Sequence, residues 1–276
     1  MSAVDTAEPA GGTATAPVVT ARITPLSTVQ HGALLTWRSL LKIKRNPEEV
    51  LGLTFMPLMF VALFVFVFGE AMMGDWRAYR DLITPGIIAQ SVIFATIGTG
   101  VALNTDIEKG IFDRFRSLPI ARSAPLIGAI LGDLVRYLLT VIMVMLVAVV
   151  IGYRPEGGVP GLLAATAVVM VFAFALCWLS AFMGMLLRTP MAVNIFGSVW
   201  MFPLTFGSSA FVPTDQMPGF MQTFAEVNPV THVINAMREL LAAEPAGESL
   251  LWVAIWTAMI TAVFFPLATR AYRRRA

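Results

Sequence analysis

Few side chains in this sequence could do chemistry, and where they fall narrows what that chemistry is. Asp133 and Arg136 lie inside a long apolar run. Their three-residue spacing puts them on one helical face, where opposite charges neutralise each other. Ionisable groups buried in such a run form either a structural pair or a relay for protons or ions, and a partner already in place favours the pair. The histidines, His31 and His232, lie outside the apolar runs, and Glu70, Asp81 and Asp106 lie at their ends. The single cysteine, Cys177, excludes an internal disulfide and a cysteine-based zinc site, and no metal centre is expected. A P-loop needs G-x-x-x-x-G-K-[ST] so that backbone N–H groups and the lysine hold phosphates. None of the lysines, Lys42, Lys44 and Lys109, sits in that context. The chain is therefore expected not to be an enzyme and to carry no cofactor of its own; energy must come from a separate subunit or another source.

The elements that position these groups are apolar and long. Apolar residues make up 57% of the chain and charged residues 13%, with a mean hydropathy of +0.77, far above that of a water-facing globule. A membrane span needs roughly 20 apolar residues, because the hydrocarbon core is about 30 Å thick and a helix rises about 1.5 Å per residue. Blocks at about 50–69, 82–104, 124–152, 159–187, 191–212 and 249–269 qualify. The expected fold class is an all-α polytopic membrane protein of six spans. No basic stripe interleaved with aromatics is present, so nucleic acid is not an expected partner.

Orientation follows from Lys and Arg. With both termini inside, the cytosolic segments hold Arg22, Arg38, Lys42, Lys44, Arg45, Lys109, Arg114, Arg116, Arg122, Arg188, Arg270, Arg273, Arg274 and Arg275. The outer segments hold Arg77, Arg80, Arg154 and Arg238. The positive-inside rule then predicts an N-in, C-in topology.

Three segments outside the spans organise the rest. Residues 1–26 are small and polar and read as a disordered cytosolic tail, without the apolar core of a secretion signal. Within 27–46, Trp37 and its apolar neighbours form one helical arc edged by Arg38, Lys42 and Arg45, the pattern of a helix lying in the membrane interface. It is either an anchor alone or an anchor with a further role. The loop at 105–123 is the most chemically dense: Asp106, Glu108, Lys109, Gly110, Phe112, Arg114, Phe115, Arg116, Pro119 and Arg122. Gly110 permits a sharp turn and Pro119 ends any short helix before it. Charges with two aromatics suit docking into another protein's groove, though a solvated topology loop has the same composition. The segment at 213–245 follows Phe211 and contains Pro213, Met217, Pro218, Phe220, Phe224, Asn228 and Pro229. The prolines predict two short helices, serving as a cap over the bundle or as a partly inserted gate. Residues 271–276 form a basic cytosolic tail.

Within the spans, Gly128 and Gly132 form a small-xxx-small pattern, and Asn194, Gly197 and Ser198 cluster, features of close helix packing. Pro57, Pro203 and Pro266 are sites for kinks. Phe55, Met59, Asn194, Ser198 and Phe206 are candidates for a substrate path, although the apolar ones suit a lipid-facing surface equally well.

The ordered set Leu103-Asn104-Thr105-Asp106, Glu108-Lys109-Gly110, Arg116-Ser117-Leu118-Pro119, Gly132-Asp133-Leu134-Val135-Arg136-Tyr137, Leu187-Arg188-Thr189-Pro190, Phe211-Val212-Pro213, Met217-Pro218-Gly219 and Asn228-Pro229 resembles the membrane subunits of type-2 ABC exporters, in particular the daunorubicin and doxorubicin resistance permeases. The resemblance runs from about Trp37 to the C-terminal arginines. It implies that the 105–123 loop is a coupling helix seated on an ATPase subunit, that the 213–245 segment is an extracellular gate, and that 47–270 is the transmembrane domain. It also implies a second permease copy, two copies of a separate ATP-binding cassette subunit holding ATP and Mg, and a hydrophobic or amphipathic small molecule as cargo. The expected place is the bacterial cell membrane, in contact with lipid. An ion-gradient-driven multidrug carrier and a membrane scaffold are the alternatives.

Overall fold

The computed structural model describes residues 47–110 and 124–275, with side chains described for 55–110 and 126–272. The expected tail at 1–26, the interfacial helix with Trp37, Arg38, Lys42 and Arg45, and the loop residues Phe112, Arg114, Phe115, Arg116, Pro119 and Arg122 lie outside them. Among the described residues every regular element is a helix and none is a strand.

Helix α1 (Pro47–Leu63) contains Pro57 and passes through a π turn at Phe64–Phe68 into α2 (Gly69–Met73). Gly74, at φ +69°, ends α2 by donating its N–H to Glu70 O, a left-handed closure that a side chain would strain. Asp75 then caps α3 (Trp76–Glu108) by accepting the Arg77 N–H at 2.9 Å. The 33 residues of α3 reach about 50 Å, longer than the hydrocarbon core. Helices α4 (Ala124–Val150) and α5 (Gly158–Leu186) follow. Thr189 caps α6 (Pro190–Phe206), with Pro190 in its first turn. A short 3₁₀ turn (Thr214–Gln216) leads to α7 (Gly219–Val227), α8 (Pro229–Leu241) and α9 (Gly247–Arg275).

Among the described residues five helical segments are long and apolar enough to cross a membrane: Phe55–Met73, Trp76–Glu108, Leu126–Val150, Gly158–Leu186 and Gly247–Tyr272. The block expected at 191–212 forms only the 17 residues of α6, about 26 Å. It ends early because the Ser208 hydroxyl turns back to Thr205 O at 2.6 Å and Asn228 Nδ2 donates to Leu204 O at 2.7 Å, which bends the chain away. The division at Pro218 and Asn228-Pro229 produces α7 and α8 as the prolines predict.

Helix α3 is the hub. It packs against α1, α4, α5, α6 and α8, and buries Ile83, Ile87, Ile88, Val92 and Ile93 completely or nearly so. In lipid, apolar side chains gain little from meeting one another, so close approach must come from small residues and hydrogen bonds. The α3–α5 crossing has both. A Cβ on Gly100 would collide with the Ser180 carbonyl, and one on Gly184 with the Gly100 carbonyl. Gly197 lets α6 pack against the Ile97 side chain of α3. Helix α9 lies at the periphery against α5 and α8 and exposes Leu251, Ile255, Met259 and Val263.

Candidate functional site

Four features lie along α3. The first is a cavity of about 330 Å³ between α1, α3 and α6, lined among others by Met56, Phe60, Gln90, Phe94, Phe202 and Phe206. Its walls belong to a row of aromatic rings. Phe60 and Phe64 stack at 5.8 Å between centroids, Phe64 meets Phe211 at 4.8 Å, Phe211 stacks on Phe206 at 5.2 Å, and Phe206 on Phe202 at 5.6 Å. Phe94 closes the row edge-on to Phe202 at 5.1 Å. These separations are those at which ring quadrupoles attract. Of the residues expected in a substrate path, Phe206 lines the cavity. Phe55 and Met59 are exposed on α1, Asn194 is exposed on α6, and Ser198 is half-buried there.

The second feature is a clamp at the Trp76 end of α3. Arg238, on α8, donates to Leu82 O at 2.9 and 3.1 Å and to Ser209 O at 2.6 Å. One guanidinium thereby joins α8, α3 and the turn after α6. Burial lowers its pKa to about 10, with Tyr153 acting weakly in the opposite direction, so it stays charged at neutral pH. Burial pushes the Tyr153 phenol up to about 12, helped by Asp81 and opposed by Arg80 and Arg238. His232, stacked on Trp252 at 5.4 Å, is held below its usual range by burial.

Around the clamp, Tyr79 donates to Phe211 O at 3.3 Å, and Gly86 lets α3 approach the Ala210 carbonyl. Asn228 caps α8 by accepting the Val230 N–H at 2.9 Å. Among the residues expected in a gate, Phe211, Asn228 and Pro229 are buried, Pro213 and Met217 are half-buried, and Pro218, Phe220 and Phe224 are exposed. Phe224 nevertheless lies against Gly207 at the end of α6.

The third feature is a polar knot. Asp133 Oδ1 pairs with Arg136 at 2.7 Å while Oδ2 accepts from Thr99 at 2.7 Å. Tyr137 meets Thr99 at 2.6 Å and donates to Ala95 O at 3.2 Å. Cys177 is fully buried beside them, 3.7 Å from Thr99. The carboxylate thus binds α3 to α4, as a structural pair requires. Removing one partner leaves a charge in a dry site, at a cost of about 3–5 kcal/mol, whereas removing both costs less. Asp133→Asn is therefore expected to lower the thermal midpoint more than Asp133→Asn with Arg136→Gln, measured by scanning fluorimetry in lipid nanodiscs. A double variant no more stable than the single would contradict a structural pair.

The fourth feature is the Glu108 end of α3. Asn104 donates to Gly184 O at 2.7 Å and to Leu187 O at 2.8 Å, which ties the ends of α3 and α5 together. Lys109 and Gly110 close the helix, their N–H groups reaching Thr105 O and Ile107 O, and Gly110 adopts φ +64°. Glu108 and Lys109 are exposed, and Asp106 is half-buried.

The structure brings together residues that sequence reasoning passed over: Gln90, Phe94 and Phe202 in the cavity, and Gly100 with Gly184 at the crossing. Only Gln90 carried a usable signal, as an amide in the middle of the apolar stretch 82–104.

Residues 31–242 match the family described as ABC-2 type transporter. The chain is 35% identical over 260 residues to the daunorubicin resistance ABC transporter permease protein DrrB1 of Streptomyces coeruleorubidus, covering 94% of this chain and 92% of that one. It is 27% identical over 250 residues to the probable doxorubicin resistance ABC transporter permease protein DrrC of Mycobacterium tuberculosis, covering 89% of each. It is 26% identical over 191 residues to the inner membrane transport permease YhhJ of Escherichia coli, covering 68% of this chain and 50% of that one.

Proposed function

The chain belongs to the ABC-2 type transporter family, and from that premise we propose that it is the membrane-spanning permease of an ATP-driven exporter for an amphipathic or hydrophobic compound. The observation that supports this most is the unbroken course of α3. From its C-terminal end at Glu108 back toward Trp76, it passes the polar knot and the cavity and reaches the Arg238 clamp. A rod of this kind carries movement from one end of the bundle to the other, because packed helices shift as units rather than deform continuously.

In this reading the chain spans the cell membrane six times, α6 included, with both termini cytosolic. That placement puts Glu108 inside and the Arg238 clamp outside. Two copies face each other through α1 and α6, whose exposed rings Phe55, Phe196 and Trp200 have no ring partner among the described residues. Two separate ATP-binding cassette subunits, which hold ATP and Mg, dock at 105–123. Closure of those subunits shifts α3 and α5 together through Asn104, and the segment 213–245 opens. The names of the daunorubicin and doxorubicin relatives support an aromatic drug as cargo.

The test is co-purification with an ATP-binding cassette subunit encoded beside it, followed by ATP hydrolysis in lipid vesicles with and without daunorubicin. Export coupled to ATP predicts a stable complex whose hydrolysis the drug stimulates. An ion-driven carrier predicts transport without any such subunit and its collapse when ionophores dissipate the gradient.

A further inference from the structure

We infer that the cavity between α1, α3 and α6 is a recognition site for a flat fused-ring compound with a polar edge, and that the side-chain amide of Gln90 reads that edge. The inference rests on the export reading for its biological meaning but not for its binding chemistry.

The volume, about 330 Å³, lies at the small end of ligand cavities, roughly 300–1,000 Å³. Four phenylalanines, Phe60, Phe94, Phe202 and Phe206, supply ring faces and edges. Met56 adds a polarizable wall, of the kind that adapts to irregular aromatic shapes. An alkyl chain would fill such a space without using the rings. A planar π-system stacks on them.

Gln90 is the polar exception. It sits near the middle of α3, is 8% exposed, and lines the cavity. Among the described residues its amide has no hydrogen-bond partner, whereas Ser91 beside it is already bonded to Ile87 O at 2.6 Å. A glutamine carries two donor hydrogens and an acceptor oxygen, and leaving them unmet in a hydrocarbon setting is costly. Elsewhere along α3 the side-chain donors are engaged: Asn104 Nδ2 meets two carbonyls and Thr99 meets Asp133 and Tyr137. Among these three, Gln90 alone lines the aromatic-walled cavity, and its amide has no partner among the described residues. The complement of that surface is an aromatic ligand presenting a donor and an acceptor side by side.

Phenanthridinone and phenanthrene provide the test, because they share a three-ring outline and differ in a lactam edge. Binding of each is measured by ligand fluorescence with the purified full chain in lipid nanodiscs, without nucleotide, against protein-free discs. The unaltered protein is expected to bind both above the blank and to prefer phenanthridinone. Gln90→Leu should weaken phenanthridinone about tenfold, the worth of one or two neutral hydrogen bonds, and leave phenanthrene within about twofold. Phe94→Leu should weaken both. Retained phenanthrene binding shows that Gln90→Leu is folded. Binding no better than protein-free discs would overturn the inference and assign the cavity to lipid or to a second copy of the chain. Equal loss of both probes in Gln90→Leu, or loss of neither, would also overturn it. Since no ATPase is present, a failure of the export reading leaves this result unchanged, and normal ATP-driven export with an inert Gln90→Leu would sink this inference alone.

Discussion

Gly184→Leu is expected to leave no folded protein, and Gly184→Ala to lose about 3 kcal/mol, the upper end for overpacking a tight core. The reason is local to the α3–α5 crossing. A Cβ at 184 meets the Gly100 carbonyl and its neighbouring backbone atoms, none of which can rotate aside as a side-chain tip would. Separating the helices to admit it also lengthens the bonds from Asn104 to Gly184 O and Leu187 O. In lipid there is no water to re-solvate those groups, so they stay unmet. Gly98 supplies the control, since its Cβ would meet nothing within 4 Å. Gly98→Ala should shift stability by no more than about 0.5 kcal/mol, as a substitution that touches nothing does. Size-exclusion monodispersity and thermal midpoint in nanodiscs check both. A Gly184→Ala protein as stable as Gly98→Ala would contradict the crossing.

That crossing illustrates what a membrane sequence conceals. The apolar runs were legible because hydropathy and length alone decide whether a helix suits a bilayer. The Asp133–Arg136 pair was legible because helical spacing puts it on one face, and Pro218 and Asn228-Pro229 because proline breaks a helix by covalent geometry. Which faces meet was not legible. In water an apolar stripe points to the core, but in lipid α1, α4 and α9 show apolar residues to bilayer and bundle alike, so Gly100 and Gly184 have no contrasting background. The cavity was hidden for the same reason: Phe94 and Phe202, which line it, have the composition of Phe55 and Phe196, which do not. The 191–212 block was overread because Phe211 and Val212 prolong the hydropathy after the Ser208 and Asn228 hydrogen bonds have turned the chain.

The second large effect concerns coupling. Gly110→Pro is expected to abolish export while membrane insertion and ATP hydrolysis by the partner subunit persist, and Glu108→Ala to do so in part. Gly110 stands at φ +64° and donates its N–H to Ile107 O. Proline fixes φ near −65° and has no N–H, so the closure of α3 and the exit angle of the 105–123 loop are both lost. Glu108 is exposed at that closure and free to meet a partner's cation. Because Asn104 holds the ends of α3 and α5 together, a push delivered there reaches both central helices. A push delivered through a broken turn reaches neither. Coupling between two sites is commonly worth about 1–3 kcal/mol, or roughly 5–150-fold in the linked quantity. The most direct measurement is therefore daunorubicin moved per ATP hydrolysed, both read in the same inside-out vesicles containing the permease and its ATP-binding cassette subunit. The account predicts ATP-dependent accumulation that survives ionophores, and a drop of at least about tenfold in that ratio for Gly110→Pro with hydrolysis retained. Accumulation that follows the ion gradient and ignores ATP, or an unchanged ratio in Gly110→Pro, would contradict it.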